Sequence, residues 1–129
     1  MDKLDALKQI ICQFSSIQFK EELICDIQSD VFGSGLESSF FKIFLTRLKQ
    51  LDTFGYRAIT EVRNKFEKLT DAPGLYSMHI DLPGLNYRII YTIDKQNNIL
   101  LQGFNERSGK KATDYTKPIS IAKRRLKER

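Results

Sequence analysis

The chain has 129 residues, of which 41% are hydrophobic and 29% are charged, and its formal net charge at pH 7 is +5. This length and composition are typical of one folded domain and exclude a wholly disordered chain. Cys12 and Cys25 lack the spacing of metal ligands, so the sequence predicts buried reduced thiols and a cytoplasmic location. We expect no membrane segment and no secretory signal, since the apolar runs are far too short.

The first half of the chain has mostly helical spacing of its apolar residues. A short amphipathic helix is predicted over residues 3–14, and residues 16–27 are interpreted as an edge strand or hairpin. Ser34 and Glu37 have the spacing of a capping box. The helix that follows is predicted to bury Phe40, Phe44, Leu48 and Leu51. A second helix, antiparallel to it, is predicted to bury Ile59, Val62, Phe66 and Leu69.

The second half of the chain changes to a period of two. Three antiparallel strands are predicted over residues 75–81, 86–93 and 98–104. A basic helix is predicted from Thr116, with Pro118 in its first turn and an apolar edge of Ile119, Ala122 and Leu126. The sequence therefore predicts a single α+β domain over residues 1–129. In this domain, a small antiparallel sheet has an N-terminal helical pair packed on one face. A basic helix follows the sheet at the C-terminus.

Alternation along the three strands assigns their side chains to two faces. The apolar face, expected to lie on the helical pair, is made of Met78, Ile80, Tyr87, Ile89, Tyr91, Ile93, Ile99 and Leu101. The opposite face holds Arg88 and His79, the only histidine. A tight turn at residues 83–84 would put His79 opposite Arg88, and pairing Ile93 with Ile99 would put Arg88 beside Phe104.

The excess positive charge lies in the last fifth of the chain. Residues 103–129 carry nine Lys and Arg against three Asp and Glu, whereas residues 1–102 carry twelve against thirteen. This asymmetry predicts a polyanionic partner, although a basic solvated helix without a partner is an alternative. A loop after the third strand would bring further groups beside Arg88: Arg107, Lys110, Lys111 and Tyr115. A phosphate is the natural occupant of such a site, because guanidinium groups bind its oxygens in pairs.

Four motifs occur in a fixed order: "GLYSMHI", "YRIIY", "ILLQGF" and "IAKRR". Through this ordered set, residues 17–127 resemble the RelE/ParE toxin superfamily, nearest its HigB-like, phage-associated branch, and residues 1–16 would be an N-terminal helical extension. The resemblance implies a RelE-like fold and a toxin of a type II toxin–antitoxin system. Many members cleave mRNA in the ribosomal A site without metal or cofactor. The implied partners are mRNA, the ribosome and an acidic helix-turn-helix antitoxin.

The resemblance also implies roles for individual residues. The reaction would be attack of a ribose 2′-hydroxyl on the adjacent phosphorus, which needs a base, cations and an acid. Arg88 matches the strand arginine of the family and would stabilise the phosphorane. Arg107 and Lys110 correspond to a basic cluster after the third strand, and Tyr115 corresponds to a tyrosine near the scissile phosphate.

Two positions depart from the family pattern. His79 stands where the family usually has arginine and is a candidate base, and Glu106 stands where lysine is common. Structural alternatives remain open for each candidate. Arg88 could form a salt bridge with Asp81 or Glu106, His79 could be an ordinary strand residue, and Tyr115 could only hold the last helix on the sheet.

The cations near the C-terminus are assigned to electrostatic contact with RNA or the ribosome. They are Lys111, Lys123, Arg124, Arg125 and Lys127. Two rival functions remain open. One is a ParE-like inhibitor of DNA gyrase, and the other is a basic RNA-binding module without catalytic activity.

Overall fold

The fold combines a five-stranded sheet with helices on both of its faces. The computed structural model describes residues 2–106 and 114–128. The helices are α1 (Lys3–Cys12), α2 (Glu21–Val31), α3 (Glu37–Phe54), the single turn α4 (Ala58–Glu61) and α5 (Thr116–Lys127). The strands are β1 (Ile17–Phe19), β2 (Phe66–Lys68), β3 (Leu75–Leu82), β4 (Leu85–Asp94) and β5 (Asn97–Asn105). No helix in the described ranges has the length and apolarity that crossing a membrane requires.

The α+β class is confirmed, but the sheet is mixed rather than purely antiparallel. The strand order is β1-β5-β4-β3-β2, and only β1 and β5 run parallel. The three strands predicted in the second half are confirmed as β3, β4 and β5. Two hairpin connections make these strands antiparallel, whereas β1 and β5 are separated by most of the chain, so no tight turn dictates their direction.

Residues 21–31 form helix α2, so the predicted second half of a hairpin is wrong there. The buried side chains of α2 recur at helical spacing: Leu23, Ile24, Ile27 and Val31. Cys25 lies on the outer side of this helix, which breaks the apparent alternation of the segment. Cys12 is exposed as well, and both thiols are free. The prediction of buried cysteines is therefore wrong.

The predicted second helix of the antiparallel pair does not form. It is reduced to the single turn α4, and Phe66 belongs to strand β2, where it pairs with Met78. Gly55 ends α3 with a φ of 54°, and Asn64 turns the chain after α4 with a φ of 68°. Asparagine tolerates this left-handed conformation better than most residues, which allows a sharp change from helix to strand.

The sheet separates two apolar cores. The larger core lies under α1, α2 and α3 and includes Leu7 and Ile11 of α1. The smaller core lies under α5 and includes Leu75, Ile90, Ile99, Leu101, Phe104 and Ala122. The face that the sequence predicts to be open and polar is therefore partly covered by α5. The predicted apolar edge of α5 is confirmed, since Ile119 and Leu126 pack against the smaller core.

A β-bulge in β5 explains why Ile99 and Leu101 lie on the α5 side, contrary to prediction. Ile90 pairs with Gln102, but the next residue, Tyr91, pairs with Leu100, so that Leu101 is an additional residue. A bulge places two successive side chains on the same side of a strand and shifts the alternation beyond it. Leu100 consequently joins the larger core.

The outer edge of β5 is closed in two different ways. β1 pairs with residues 98–100, and beyond them two side chains take the place of a strand. Asp26 accepts a hydrogen bond from the backbone of Gly103 at 3.0 Å, and Arg125 donates one to the carbonyl of Leu101 at 2.9 Å. Arg125 Nη1 lies 2.6 Å from Asp26 Oδ2, and Arg125 is only 9% exposed. The prediction that Arg125 contacts RNA from a solvated face is therefore wrong.

Gly103 is required by its contact with the buried ring of Tyr87. A Cβ atom at position 103 would overlap Tyr87 Oη and lie only 2.8 Å from Cε2. Tyr87 is fully buried, stacks edge-on against Phe40 and donates a hydrogen bond to Asp30 at 3.0 Å. The ring therefore has little room to move away.

We expect Gly103→Ala to lower the free energy of unfolding by about 1–3 kcal/mol, because the added methyl group overpacks this site. Urea denaturation monitored by circular dichroism measures the change. In the background of Tyr87→Phe, which removes the oxygen that meets the methyl group, the same substitution should cost less. Equal stability of Gly103→Ala and the wild type would contradict the contact.

Candidate functional site

Arg88 occupies the centre of the candidate site, on the α5 side of strand β4. Its guanidinium donates from Nε to Glu106 at 2.8 Å and from Nη1 to Asp81 at 2.7 Å. Nη1 also donates to the carbonyl of Tyr87 at 3.1 Å. Arg88 is only 8% exposed. The structural alternative for this residue, a salt bridge with Asp81 or Glu106, is confirmed, and both carboxylates take part.

These contacts shift the pKa values of both members of the Arg88–Asp81 pair. Partial burial alone raises the pKa of Asp81, but the hydrogen bond and charge of Arg88, together with weaker nearby charges, outweigh it and hold that pKa below its usual value. Burial alone lowers the pKa of Arg88, and the two carboxylates reverse this into a net increase. Arg88 is therefore a permanent cation whose charge is compensated inside the protein.

His79 lies directly opposite Arg88 in the β3–β4 hairpin, as predicted. Its Nε2 atom is 2.9 Å from Oε1 of Glu67 on β2. A carboxylate only accepts hydrogen bonds, so Nε2 carries the proton and the lone pair of the neutral ring lies on Nδ1. The backbone carbonyl of His79 accepts a hydrogen bond from Arg47 Nε at 2.7 Å, which fixes this part of the strand from the other face of the sheet.

Tyr115 comes from the turn before α5 and reaches the same place. Its hydroxyl donates to Glu106 Oε1 at 2.7 Å, and its ring stands edge-on to Phe104 with the ring centroids 5.1 Å apart. Burial raises the pKa of Tyr115, and the hydrogen bond and charge of Glu106 raise it further. Tyr115 therefore holds α5 on the sheet and also presents a phenol that stays protonated at neutral pH.

These groups form one continuous set, here called the polar row: Glu67, His79, Asp81, Arg88, Glu106 and Tyr115. Register places Arg88 next to both His79 and Phe104, as predicted, although the bulge makes Ile93 pair with Asn98 instead of Ile99. The expected excess of positive charge does not occur among the described members of the row. Three carboxylates surround Arg88 and His79, and the nearby Lys65 lies 3.9 Å from Asp81.

The remaining predicted cations are distributed unevenly. Arg107, Lys110 and Lys111 lie outside the described residues. A depression of 640 Å³ beside Tyr115 is here called the α5 groove. Its charged lining consists of three cations of α5 and two carboxylates: Lys123, Arg124, Lys127, Asp71 and Asp114. The structure thus brings Arg88, His79 and Tyr115 together, places three helix cations in the groove that Tyr115 lines, and buries Arg125.

Two polar residues near the row were not predicted from the sequence. The sequence pattern predicts a helix around Glu67, so nothing in it indicates the position of this residue beside His79. Arg47 is buried on α3, and its spacing of three from Phe44 and four from Leu51 indicates the buried face of that helix. No group of three or more His, Cys, Asp or Glu that could hold a metal ion occurs within residues 2–106 and 114–128.

Comparisons with known proteins do not identify a family for this chain. No protein-family model, no curated protein and no solved structure matches this chain.

Proposed function

We propose that this protein is a toxin of a type II toxin–antitoxin system that cleaves mRNA, in the manner of the RelE/ParE superfamily. The observation that carries the proposal is the position of the Glu106 carboxylate. Arg88 Nε and the Tyr115 hydroxyl both donate to it, at 2.8 and 2.7 Å. Two converging donors of this kind bind an oxyanion, and a phosphate offers them the same acceptors.

In this proposal an RNA phosphate replaces the Glu106 carboxylate between the two donors. His79 is the cross-strand neighbour of Arg88, so their Cβ atoms are about 5 Å apart, a separation at which both side chains can act on one phosphate and its ribose. The order of motifs along the chain and the exposed cations of α5 support the same substrate. The proposed reaction requires no cofactor.

The proposed reaction assigns one proton transfer to each side of the phosphate. His79 Nδ1 takes the proton of the ribose 2′-hydroxyl as the O2′–P bond forms, and Glu67 holds the ring in the required tautomer. Arg88 stabilises the charge of the phosphorane. The P–O5′ bond then breaks, and the leaving oxygen takes the proton of Tyr115. The products are a 2′,3′-cyclic phosphate and a 5′-hydroxyl, and exchange with solvent restores both side chains.

A basic RNA-binding module without catalysis is the second candidate. The observation that favours it is the compensation of Arg88 by two carboxylates, since a phosphate must compete with both. In either case the exposed cations of the α5 groove are suited to an acidic partner, such as the proposed antitoxin.

Purified protein, ribosomes and a defined mRNA test the proposed function. We expect cuts that leave 5′-hydroxyl and 2′,3′-cyclic phosphate ends, and a single 2′-deoxynucleotide at the cut position should block cleavage there. Salt-sensitive RNA binding without cuts would support the module instead. Chromosome breakage with continued translation after induced expression would support the gyrase inhibitor.

A further inference from the structure

A second depression meets the polar row at the opposite end from the α5 groove, where Glu67 and His79 line it. It has a volume of 670 Å³ and is bounded by α4, the turn after it and strand β2, so we call it the β2 groove. His79 lines this groove, whereas Tyr115 lines the α5 groove. The two grooves therefore flank the proposed phosphate position, and His79 belongs both to the row and to the β2 groove.

The β2 groove has the chemistry of a nucleotide site. Arg63 and Lys68 are exposed and line it, and Thr60 and Asn64 supply a hydroxyl and an amide. The only carboxylate that lines it among the described residues, Glu67, is hydrogen-bonded to the imidazole of His79. Cations here can contact phosphate oxygens, and polar groups can contact a base or ribose.

The position of the groove follows from the local fold. Asn64, at a φ of 68°, sends the chain from α4 directly into β2, and the backbone amide of His79 donates to the carbonyl of Lys65 at 2.9 Å. This pairing places the turn that carries Arg63 and Asn64 beside His79. A volume of a few hundred cubic ångströms is typical of sites for small organic ligands, and it suits a single nucleotide better than a longer segment.

We propose that the β2 groove binds one nucleotide of a single-stranded RNA on the His79 side of the phosphate held by Arg88, and thereby contributes to nucleotide preference. The RNA strand then continues past Tyr115 into the α5 groove. This inference rests on the proposed function for the identity of the ligand, but it concerns binding and does not require cleavage.

The test compares two double variants that lose the same charge. Arg63→Ala/Lys68→Ala removes the cations of the β2 groove, whereas Lys42→Ala/Lys49→Ala removes two exposed lysines of α3. The probe is a short RNA in which every 2′-hydroxyl is methylated, so it cannot be cut, and its affinity is measured by fluorescence anisotropy at several salt concentrations.

We expect the groove variant to bind roughly tenfold more weakly and the α3 variant to bind as the wild type does. The dependence of log affinity on log salt should become shallower by up to about 1.4 in the groove variant alone, at about 0.7 for each lost phosphate contact. The wild type should bind four probes that differ in one base with different affinities. These differences in affinity should be smaller for the groove variant.

The other possible outcomes distinguish failure of the groove proposal from failure of the proposed function. Equal weakening in both double variants would show a general charge effect and overturn the groove. Unchanged binding and unchanged cleavage by the groove variant would overturn it too, while leaving the nuclease intact. Wild-type protein that shows the expected binding pattern but never cuts RNA would retain the groove and remove the nuclease.

Discussion

Arg88→Ala is expected to lower the rate of mRNA cleavage by at least about 100-fold, because one donor to a developing oxyanion contributes about that much. Arg88 is paired across the strands with His79 and shares the Glu106 carboxylate with Tyr115, and no other arginine of the described chain belongs to the polar row. Cleavage of a defined mRNA on ribosomes measures the effect. Lys49→Ala, an exposed lysine of α3, is the control for loss of one charge.

Glu106→Gln provides a sharper comparison, since it disrupts the same ion pair from the other side. If Arg88 has only a structural role, both variants lose stability and neither changes RNA affinity specifically. If Arg88 binds the substrate phosphate, the two variants should change RNA affinity in opposite directions. Arg88→Ala should bind RNA more weakly, and Glu106→Gln should bind it more tightly, because a competing negative charge is gone.

Cleavage by Arg88→Ala at the wild-type rate would show that the phosphate lies elsewhere. Thermal melting of each variant, followed by circular dichroism, establishes that the protein tested is folded. This matters because Arg88→Ala leaves Asp81 and Glu106 without their shared partner.

Arg125→Ala is expected to lower the free energy of unfolding by about 3–5 kcal/mol, which is the usual cost of removing one partner from a buried ion pair. Asp26, with a side chain only 18% exposed, would lose its ion-pair partner, and the carbonyl of Leu101 would lose its donor. The pair links α2 with α5 around the edge of β5, so its loss affects both faces of the sheet.

Arg124 offers a matched control, because it is the same residue type one position away on an exposed part of α5. Arg124→Ala should change stability by no more than about 0.5 kcal/mol. Urea denaturation compares the two variants, and Asp26→Leu/Arg125→Leu should recover part of the loss by removing both charges. Similar stability of the two single variants would refute a structural role for Arg125.

The hairpins could be predicted from the sequence because alternation and turn residues indicate the same structure. Gly84 adopts a φ of 84° in the tight turn, and this turn fixes His79 opposite Arg88. Residues 21–31 were misassigned because Leu23, Cys25 and Ile27 alternate by chance on one helix. Only burial shows that Ile24 belongs to the same apolar stripe.

The parts of the site that could not be predicted depend on long-range contacts. Nothing near Leu101 indicates the bulge that turns it toward α5. Glu67 and His79 meet only because β2 forms, which a helical interpretation of that segment excludes. Arg125 did carry a signal, since Pro118, Ala122 and Arg125 recur at intervals of four and three and are all buried. A charged residue on a buried stripe indicates a partner rather than a solvated face.

The parallel pairing of β1 with β5 has a consequence for how the chain acquires its structure. Ser16 accepts a hydrogen bond from Asn98 at 2.7 Å, and Lys20 donates one to Leu100 at 2.9 Å. The first strand can therefore form these bonds only after the last strand has been synthesised. During synthesis this seam closes only after most of the polypeptide has left the ribosome, a topology that slows folding. Until then β1 lacks its partner in the sheet and can pair with strands of other molecules, which favours aggregation of the nascent chain.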